Sequence, residues 1–355
     1  MDFGIMLPTK ANSWEVVKRA EELGFTHAWF YDTHMLNAEV FVAMGAAAMM
    51  TKTIKLGAGV LIPSNRIAPV AASGLATLNA LAPGRVIFGA STGYTARRTM
   101  GHGAVTLARL EEYVKVVEGL LKGKTVEWSG EGKTTKVAFL DPDKGLINIK
   151  DPIPTFLSAF GPKARRLTAK LGAGWIGSVT WPQREQEELD EYTKHWKDSG
   201  HGPENFYPSL GCGGCVLDDG EPPDSPRAMA QAGPYAAIAF HNLVEEEQFG
   251  SVFPVGDHFP CKEELEAYRK VYLSYQPADA RYLSNHRGHL MYLRPEEKHV
   301  TGKVISILTF TGTRSQLAER IRGMKAMGYR QIGVNVPPGQ EADIMQRMSD
   351  VMAMV

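Results

Sequence analysis

Cysteine is scarce in this sequence, net charge is absent, and long apolar runs do not occur. Three cysteines among 355 residues are too few for a disulfide framework and favour a reducing cytoplasm. The 39 basic side chains equal the 39 acidic ones, which argues against a general nucleic-acid or membrane-surface binder. No run is long enough to span a bilayer, and the N-terminal MDFGIMLPTK lacks the basic region of a signal peptide. We therefore expect a cytoplasmic protein with no nucleic-acid or membrane partner.

What the chain does contain is a repeated pattern, in which a helix-like run ends at glycine and continues into a short apolar strand. It occurs in VVKRAEELGFTHAWFY, ARRLTAKLGAGWIGSV and LAERIRGMKAMGYRQIGVNV. Gly24, Gly172 and Gly328 occupy the positions where a left-handed helix cap is expected. The strands are nearly continuous apolar runs, as expected for parallel strands that are covered on both faces.

Eight strands of this kind can be placed along the chain. They lie near residues 3–7, 26–31, 54–61, 85–91, 154–159, 174–180, 206–217 and 331–336. Eight parallel strands with intervening helices predict an α/β protein, a (β/α)₈ TIM barrel formed by residues 1–355 as one domain. A doubly wound sheet is the alternative.

Two long segments interrupt the regular alternation. Residues 123–152 are expected to form a hairpin-like excursion before the fifth strand. Residues 218–304 form an insertion between strands seven and eight, and barrel geometry places its outgoing end over the C-terminal face. We interpret it as a lid or substrate wall, with an oligomerisation arm as the alternative. The side chains expected to line a pocket there are Tyr235, Phe240, His241, Phe249 and Phe253, and the insertion also carries His258, His286, His289 and His299.

An anion site is predicted where the apolar run PTFLSAF gives way to a helix. Gly161, Pro162 and Lys163 stand at that helix start. Proline is favourable in the first helical turn, and glycine lets the backbone approach a ligand closely. Free N–H groups, the helix dipole and a nearby lysine together favour a phosphate.

Several motifs at the strand ends, taken in order, are similar to those of one superfamily. They are AWFYDTHML, then LGAGVLIP followed by ATLNALAPGRVIFGASTG, then SAFGPKARRLTAKLGAGWIGS. Together they resemble the bacterial luciferase-like superfamily, whose members are barrel oxidoreductases that use FMN or the deazaflavin coenzyme F420. The resemblance covers residues 1–217 and 307–350. The GPKARRLTAKLGAG segment is most similar to the methylenetetrahydromethanopterin reductase branch, which uses F420.

The resemblance implies roles for individual residues. His34 corresponds to a catalytic histidine. An extra threonine separates it from Asp32, so either Asp32 or Thr33 is the contact to the cofactor. A non-proline cis peptide is implied at Gly59–Val60, beneath the cofactor ring. The implied cofactor-binding residues are Asp32, Gly59, Val60, Thr92, Gly93, Ala159, Gly161, Pro162 and Lys163.

Three features depart from that pattern or allow more than one interpretation. Tyr94 stands where glutamate commonly follows the family's TG, and tyrosine is a poor base at neutral pH, which argues against a sugar-phosphate dehydrogenase. Arg97 and Arg98 would either bind an acidic ligand or form a structural ion pair. Cys212 and Cys215 form a C-x-x-C within the seventh strand. Because no second pair exists, we interpret them as small barrel-wall side chains and expect no metal site.

The function that these features favour is an oxidoreductase that transfers a hydride between F420 and a small organic substrate. The main alternative is an FMN-dependent luciferase-like monooxygenase that uses O₂. Two alternatives of other classes are a non-catalytic flavin-binding barrel and a barrel that binds a phosphorylated sugar without flavin. The resemblance further implies a homodimer.

Overall fold

The computed structural model describes residues 1–180, 182–251 and 259–355. Its strands are β1 (Asp2–Leu7), β2 (His27–Phe30), β3 (Lys55–Ala58), β4 (Val86–Ala90), β5 (Val126–Gly130), β6 (Lys133–Val137), β7 (Thr155–Ser158), β8 (Gly174–Ser178), β9 (Pro208–Cys212), β10 (Val216–Leu217), β11 (Gly312–Thr313) and β12 (Gln331–Asn335). Eight of them close a parallel barrel in the order β1-β12-β9-β8-β7-β4-β3-β2. The predicted (β/α)₈ barrel and its eight strands are confirmed.

Helices surround the barrel and fill the long connections. They are α1 (Ser13–Glu22), α2 (Val40–Met50), α3 (Ala68–Leu81), α4 (Thr95–Arg98), α5 (Leu107–Leu121), α6 (Pro162–Lys170), α7 (Pro182–Asp198), α8 (Pro226–Leu243), α9 (Glu246–Phe249), α10 (Lys262–Ser274), α11 (Arg281–Asn285), α12 (Gly302–Leu308), α13 (Arg314–Met327) and α14 (Glu341–Met352). Sequence signals set their ends. In α13, Thr313 and Gln316 form a capping box, and Gly328 follows in a left-handed conformation at φ 118°.

The seventh barrel strand ends earlier than the sequence suggested. β9 stops at Cys212, and Phe310 donates a backbone hydrogen bond of 2.9 Å to the Gly213 carbonyl. A Cβ on Gly214 would overlap the Phe310 carbonyl, so the two segments cross too closely for the barrel strand to continue. The chain then forms β10, which pairs with β11 outside the barrel. Cys215 therefore lies beyond the strand in which we expected it.

Both interrupting segments have structure of their own. β5 and β6 pair antiparallel, with Trp128 opposite Thr135, so residues 123–152 contain a hairpin. The segment between β10 and β11 holds α8 to α12 and has its own hydrophobic core. That core includes Ala232, Ala236, Phe240, Phe259, Tyr268, Val304 and Ile305. Phe253 and His258 lie outside the described residues. Among residues 1–180, 182–251 and 259–355, no helix has the length and apolar character needed to cross a membrane.

Candidate functional site

A cavity of about 530 Å³ opens at the C-terminal ends of the barrel strands. The segments that follow β2, β3, β4, β7 and β8 form one side of it. The other side comes from α8, from His289 and Leu290, and from residues 307–309 at the end of α12. This volume lies in the range of pockets that hold a cofactor or a substrate, and its position is where barrel enzymes carry their active sites.

Most of the residues predicted to bind a cofactor line this single cavity. They are Asp32, Gly59, Val60, Thr92, Gly93, Ala159, Gly161 and Lys163. The structure thus brings together residues from the ends of four barrel strands, β2, β3, β4 and β7. Two predicted residues are not part of the wall. Pro162 is exposed in the first turn of α6, and His34 lies beside the cavity.

The half-buried His34 ring contacts the loop that follows α4. Its Nε2 lies 3.1 Å from the Sδ atom of Met100, whereas the preceding residues Asp32 and Thr33 line the cavity. His34 therefore directly follows two residues of the cavity wall in sequence, but its ring contacts the thioether of Met100. Its catalytic role stays a prediction.

Asp32 is the buried carboxylate at the β2 end of the cavity. The guanidinium of Arg66 donates to it at 2.6 Å and also pairs with Glu39. Burial raises the pKa of Asp32, and the Arg66 charge opposes that rise without cancelling it. Asp32 thus supplies the wall with a carboxylate held in place by Arg66.

The floor of the cavity is backbone with small side chains. The Gly59–Val60 peptide is cis, as the resemblance implied, and Val60 and Ile62 line the cavity. A Cβ atom on Gly57 would lie 2.6 Å from the Trp29 side chain, and one on Gly59 would lie 3.1 Å from it. Tight barrel packing therefore accounts for Gly57, while the Gly59–Val60 peptide also faces the cavity.

The start of α6 has the donor set of an anion site. Gly161 is the N-cap and offers no side chain for capping. Within the described chain, the backbone N–H groups of Gly161 and Lys163 donate to no other residue, and the exposed Lys163 ammonium forms no ion pair. Arg184 lines the same cavity, paired with Glu188 at 3.0 Å. Two free N–H donors, an ammonium and a nearby guanidinium suit a phosphate or another polyanionic group, so these residues fit the cofactor that the resemblance implies.

The insertion contacts the barrel across the cavity through specific hydrogen bonds. Tyr235 in α8 lies 2.9 Å from the Ser178 hydroxyl at the end of β8, and it also donates to the Gly211 carbonyl at 3.3 Å. Asn335 in β12 donates to the Leu290 carbonyl at 3.3 Å. Ser178, Tyr235 and Leu290 line the cavity, so these contacts hold the insertion side against the barrel side.

Two of the aromatic residues expected to line the cavity pack elsewhere. Phe240 is fully buried in the core of the insertion, in ring contact with Phe259. Phe249 lies under the guanidinium of Arg98, with 5.5 Å between that group and the ring centre. The prediction that Phe240 and Phe249 line the pocket was wrong, because α8 carries apolar residues on several faces and α9 turns toward Arg98. His241, which was expected there as well, is not among the residues that line the cavity.

Arg98 is a structural residue. It is 1% exposed, pairs with Glu245 at 3.5 Å and donates to the Gly250 carbonyl at 2.6 Å. Its guanidinium lies 4.6 Å from the centre of the Tyr94 ring, and burial raises the pKa of that tyrosine. Of the two alternatives for Arg98, the structure shows the ion pair. The neighbouring Arg97 donates to the Gly103 carbonyl.

The two thiols of the C-x-x-C pair do not form a disulfide. Cys212 and Cys215 are both buried and unpaired. Burial raises the pKa of each thiol, to about 11 for Cys215. Both are therefore protonated at neutral pH, as expected for small wall side chains.

Sequence reasoning missed several residues that line the cavity. Ser178 ends the sixth barrel strand, β8, and Thr180 and Arg184 follow it. The rule that barrel sites form after strand ends would have identified them. Tyr31 was also missed; it ends the β2 run and donates to Asn335 at 2.8 Å.

Comparisons with known proteins agree with this geometry. Residues 1–331 match the profile of the family described as luciferase-like monooxygenase. The chain is 32% identical over 351 residues to 5,10-methylenetetrahydromethanopterin reductase of Archaeoglobus fulgidus, which covers 96% of this chain and 95% of the relative. It is also 32% identical over 190 residues to limonene 1,2-monooxygenase of Rhodococcus erythropolis, and this match covers 52% of this chain and 47% of the relative.

Among solved structures, the coenzyme F420-dependent tetrahydromethanopterin reductase of Methanopyrus kandleri superposes with a TM-score of 0.70 at 20% identity. The superposition covers 98% of this chain and 97% of the other. At that identity the likeness establishes the barrel fold, and the profile match establishes the ancestry. The chain belongs to the luciferase-like monooxygenase family.

Proposed function

We propose that this protein is an F420-dependent oxidoreductase that transfers a hydride between the deazaflavin and a small organic substrate. The expected enzyme class, an oxidoreductase with a flavin-type cofactor, is confirmed by the family and by the relatives. The observation that carries the choice of F420 is the match to the Archaeoglobus reductase, because the methylenetetrahydromethanopterin reductase branch uses F420. The match extends over 351 residues and so includes the insertion.

The proposal assigns each part of the cavity wall a task. The N–H groups of Gly161 and Lys163, with the Lys163 ammonium, bind the cofactor phosphate. The Gly59–Val60 peptide lies against the cofactor ring. Bound F420 supplies a site that accepts or donates hydride without activating oxygen. His34 is proposed to hold or move a proton at Nε2 near neutral pH.

The insertion is proposed as the substrate-facing wall. Tyr235, Ile238 and Ala239 of α8 line the cavity opposite the proposed cofactor side. Residues from the barrel and the insertion together enclose the space, which excludes water from a hydride-transfer step. The alternative, that the insertion is an oligomerisation arm, leaves these cavity contacts without a role.

An FMN-dependent monooxygenase is the second candidate. It is supported by the 190-residue match to limonene 1,2-monooxygenase. FMN also has a phosphate for the α6 start and an apolar ring for the Val60 floor, so the cavity alone does not separate the two cofactors.

Direct titration separates the two candidates. The purified apoprotein would be titrated with F420 and with FMN, each oxidised and reduced, while ligand fluorescence is followed. We expect F420 to bind at least tenfold more tightly than FMN, because Lys163 and Arg184 would offer positive charge to the additional anionic groups of its tail. Tighter binding of FMN, with O₂ consumption in the presence of reduced FMN, would establish the monooxygenase instead.

A homodimer is proposed from the outer surface of α2 and α3. Neither helix contains a charged residue, and a large exposed apolar surface is normally covered by a partner. The exposed apolar side chains of this surface are Val42, Met49, Met50, Ile67, Val70 and Leu81. A second copy of the chain is the proposed cover.

Light scattering of Met49→Glu tests the dimer, since a buried charge at an interface dissociates it. Leu273→Glu is the matched control, because Leu273 is 54% exposed and lies on α10 of the insertion. We expect a dimer for the parent and the control and a monomer for Met49→Glu; a monomeric parent would contradict the proposal. The three buried, unpaired cysteines support the proposed cytoplasmic location.

A further inference from the structure

Three buried histidines of the insertion meet beside the cavity. His241 comes from α8, and His286 and His289 come from the turn after α11. They are 2%, 1% and 6% exposed. One ring nitrogen from each lies within 4.8 Å of the other two. His289 also lines the cavity, so the cluster adjoins the proposed active site without belonging to the predicted cofactor contacts.

Each of the three rings is held by an oxygen at its Nε2 atom. His241 Nε2 lies 2.6 Å from Glu297, His286 Nε2 lies 2.9 Å from Glu245, and His289 Nε2 lies 3.0 Å from the Thr95 hydroxyl. In metal sites a ligating histidine characteristically donates its other N–H to a carboxylate or another oxygen, which fixes the ring for coordination. All three rings have this arrangement.

The Nδ1 atoms are left for a ligand. Those of His241 and His289 are 3.2 Å apart. The Nδ1 atom of His286 is buried and has no hydrogen-bond partner among the described residues, and such an orphaned buried nitrogen requires an explanation. Zinc bonds to imidazole of about 2.0–2.1 Å in a tetrahedron require nitrogens roughly 3.3 Å apart, close to the observed 3.2 Å pair.

We propose that His241, His286 and His289 bind a divalent transition-metal ion through their Nδ1 atoms. Three imidazoles with one position left open suit Zn²⁺ or Co²⁺. The adjacent carboxylates, Glu245 and Glu297, pair with Arg98 and Arg294, and a set of three imidazole nitrogens is not the oxygen-rich set that Mg²⁺ and Ca²⁺ prefer. This inference goes beyond the proposed function and does not depend on it.

In the absence of metal, the His241–His289 contact is a hydrogen bond in a chain from Thr95 to Glu297, and this metal-free chain is the competing explanation.

The site would connect separate parts of the molecule. His241 belongs to α8, His286 and His289 to the turn at 286–289, and Thr95 to α4 on the barrel side. An ion at the three Nδ1 atoms would cross-link α8 to that turn, and His289 would transmit the link to α4. We therefore expect the metal to stabilise the cavity wall as well as to occupy it.

Metal titration of the full chain tests the proposal. The purified protein would be stripped with a chelator and titrated with Co²⁺ under visible absorption, then with Zn²⁺ to displace it. We expect one Co²⁺ per chain with tetrahedral d–d bands, and displacement by Zn²⁺. His286→Gln should weaken binding at least 100-fold. His299→Phe, which removes a buried histidine outside the cluster, should leave it unchanged.

Two results would overturn the site. One is a wild-type protein that takes up no Co²⁺ or Zn²⁺, which would leave the metal-free hydrogen-bond chain as the role of the cluster. The other is a folded His286→Gln variant that binds as tightly as the wild type. If His286→Gln does not fold, anomalous diffraction from Co²⁺-soaked wild-type crystals decides, since the peak must lie among the three rings, and a peak only at the surface contradicts the proposal.

Discussion

The barrel side and the insertion side of the cavity present different groups to it. On the barrel side, Gly59, Gly93 and Gly161 bring backbone to the cavity among larger side chains, and the N–H groups of Gly161 and Lys163 donate to no other described residue. On the insertion side, α8 presents side chains such as Tyr235 and Ile238, and the buried ion pairs Arg98–Glu245 and Arg294–Glu297 hold the insertion in place. Backbone donors recognise what family members share, a phosphate and a flat ring. A wall of side chains is free to differ in shape. The proposed division of work therefore assigns cofactor binding to the barrel and substrate choice to the insertion.

Among the substitutions that test this division, the largest loss of activity is expected at His34. His34→Ala should lower kcat by roughly 10²–10⁴ while cofactor affinity stays within about tenfold, as for loss of a positioned proton donor or acceptor. Steady-state kinetics and cofactor titration measure the two quantities separately. His102→Ala is the control, since His102 is exposed on the loop that also carries Met100. Full activity in His34→Ala would mean that the ring remains at Met100 and takes no part in the reaction.

The difference between the two sides also explains which structural features could be predicted from the sequence. The eight barrel strands were predictable because each is a short apolar run, and glycines mark several of the preceding helix ends. The α6 anion site was predictable because Gly-Pro-Lys after a strand has a local meaning. These features depend on neighbours in sequence, and the barrel fold then determines where they meet.

Contacts between distant segments were not predictable in the same way. The orientation of His34 depends on Met100, 66 residues away, and the pairing of His241 with His289 spans 48 residues. Phe240 was misplaced because α8 has buried residues on several faces, so no pattern in its sequence says which face meets the cavity. The insertion has no recognisable motif, and only its fold brings its histidines together.

The free energy of unfolding should depend on pH because the insertion buries a histidine, His299. Burial lowers the pKa of His299 to about 3, against its ordinary value of about 6.5. The unfolded chain therefore binds an additional proton between those values. The stabilisation is fully present above pH 6.5 and is lost as pH falls toward 3, by about 1.4 kcal/mol per pH unit.

His299→Phe tests this directly, because Phe keeps the ring contacts with Phe240 and Tyr268 and cannot be protonated. Between pH 6.5 and 4 the variant should lose about 3 kcal/mol less unfolding free energy than the wild type. Urea unfolding at the two pH values measures the difference. Equal losses would mean that His299 is already accessible to protons in the folded state.

The barrel side of the comparison is tested at Gly161. Gly161→Val should weaken cofactor binding by about ten- to a hundredfold, the equivalent of about one charge-assisted hydrogen bond, because the added side chain would keep the phosphate away from the backbone N–H groups. A Cβ at this position meets no atom within 4 Å, so the fold should be retained. Gly323→Val is the matched control, since Gly323 in α13 also has open space around its Cβ. Equal cofactor affinity in the two variants would contradict the assignment of the phosphate to the start of α6.

The smallest effect is expected for substrate discrimination by the insertion. Replacing the whole of residues 225–300 would leave buried Arg98 without Glu245, so a single substitution is the cleaner test. Ile238 lines the cavity from α8, and Ile238→Ala should raise KM and lower kcat/KM by roughly five- to thirtyfold, as expected for about 1–2 kcal/mol of lost apolar contact. Cofactor affinity should not change, because the proposed cofactor contacts lie on the barrel side. Leu243→Ala on the same helix packs into the insertion core and controls for general loosening of α8. If Ile238→Ala weakens cofactor binding as much as it weakens substrate use, the two sides do not divide the work, and the insertion belongs to the cofactor site as well.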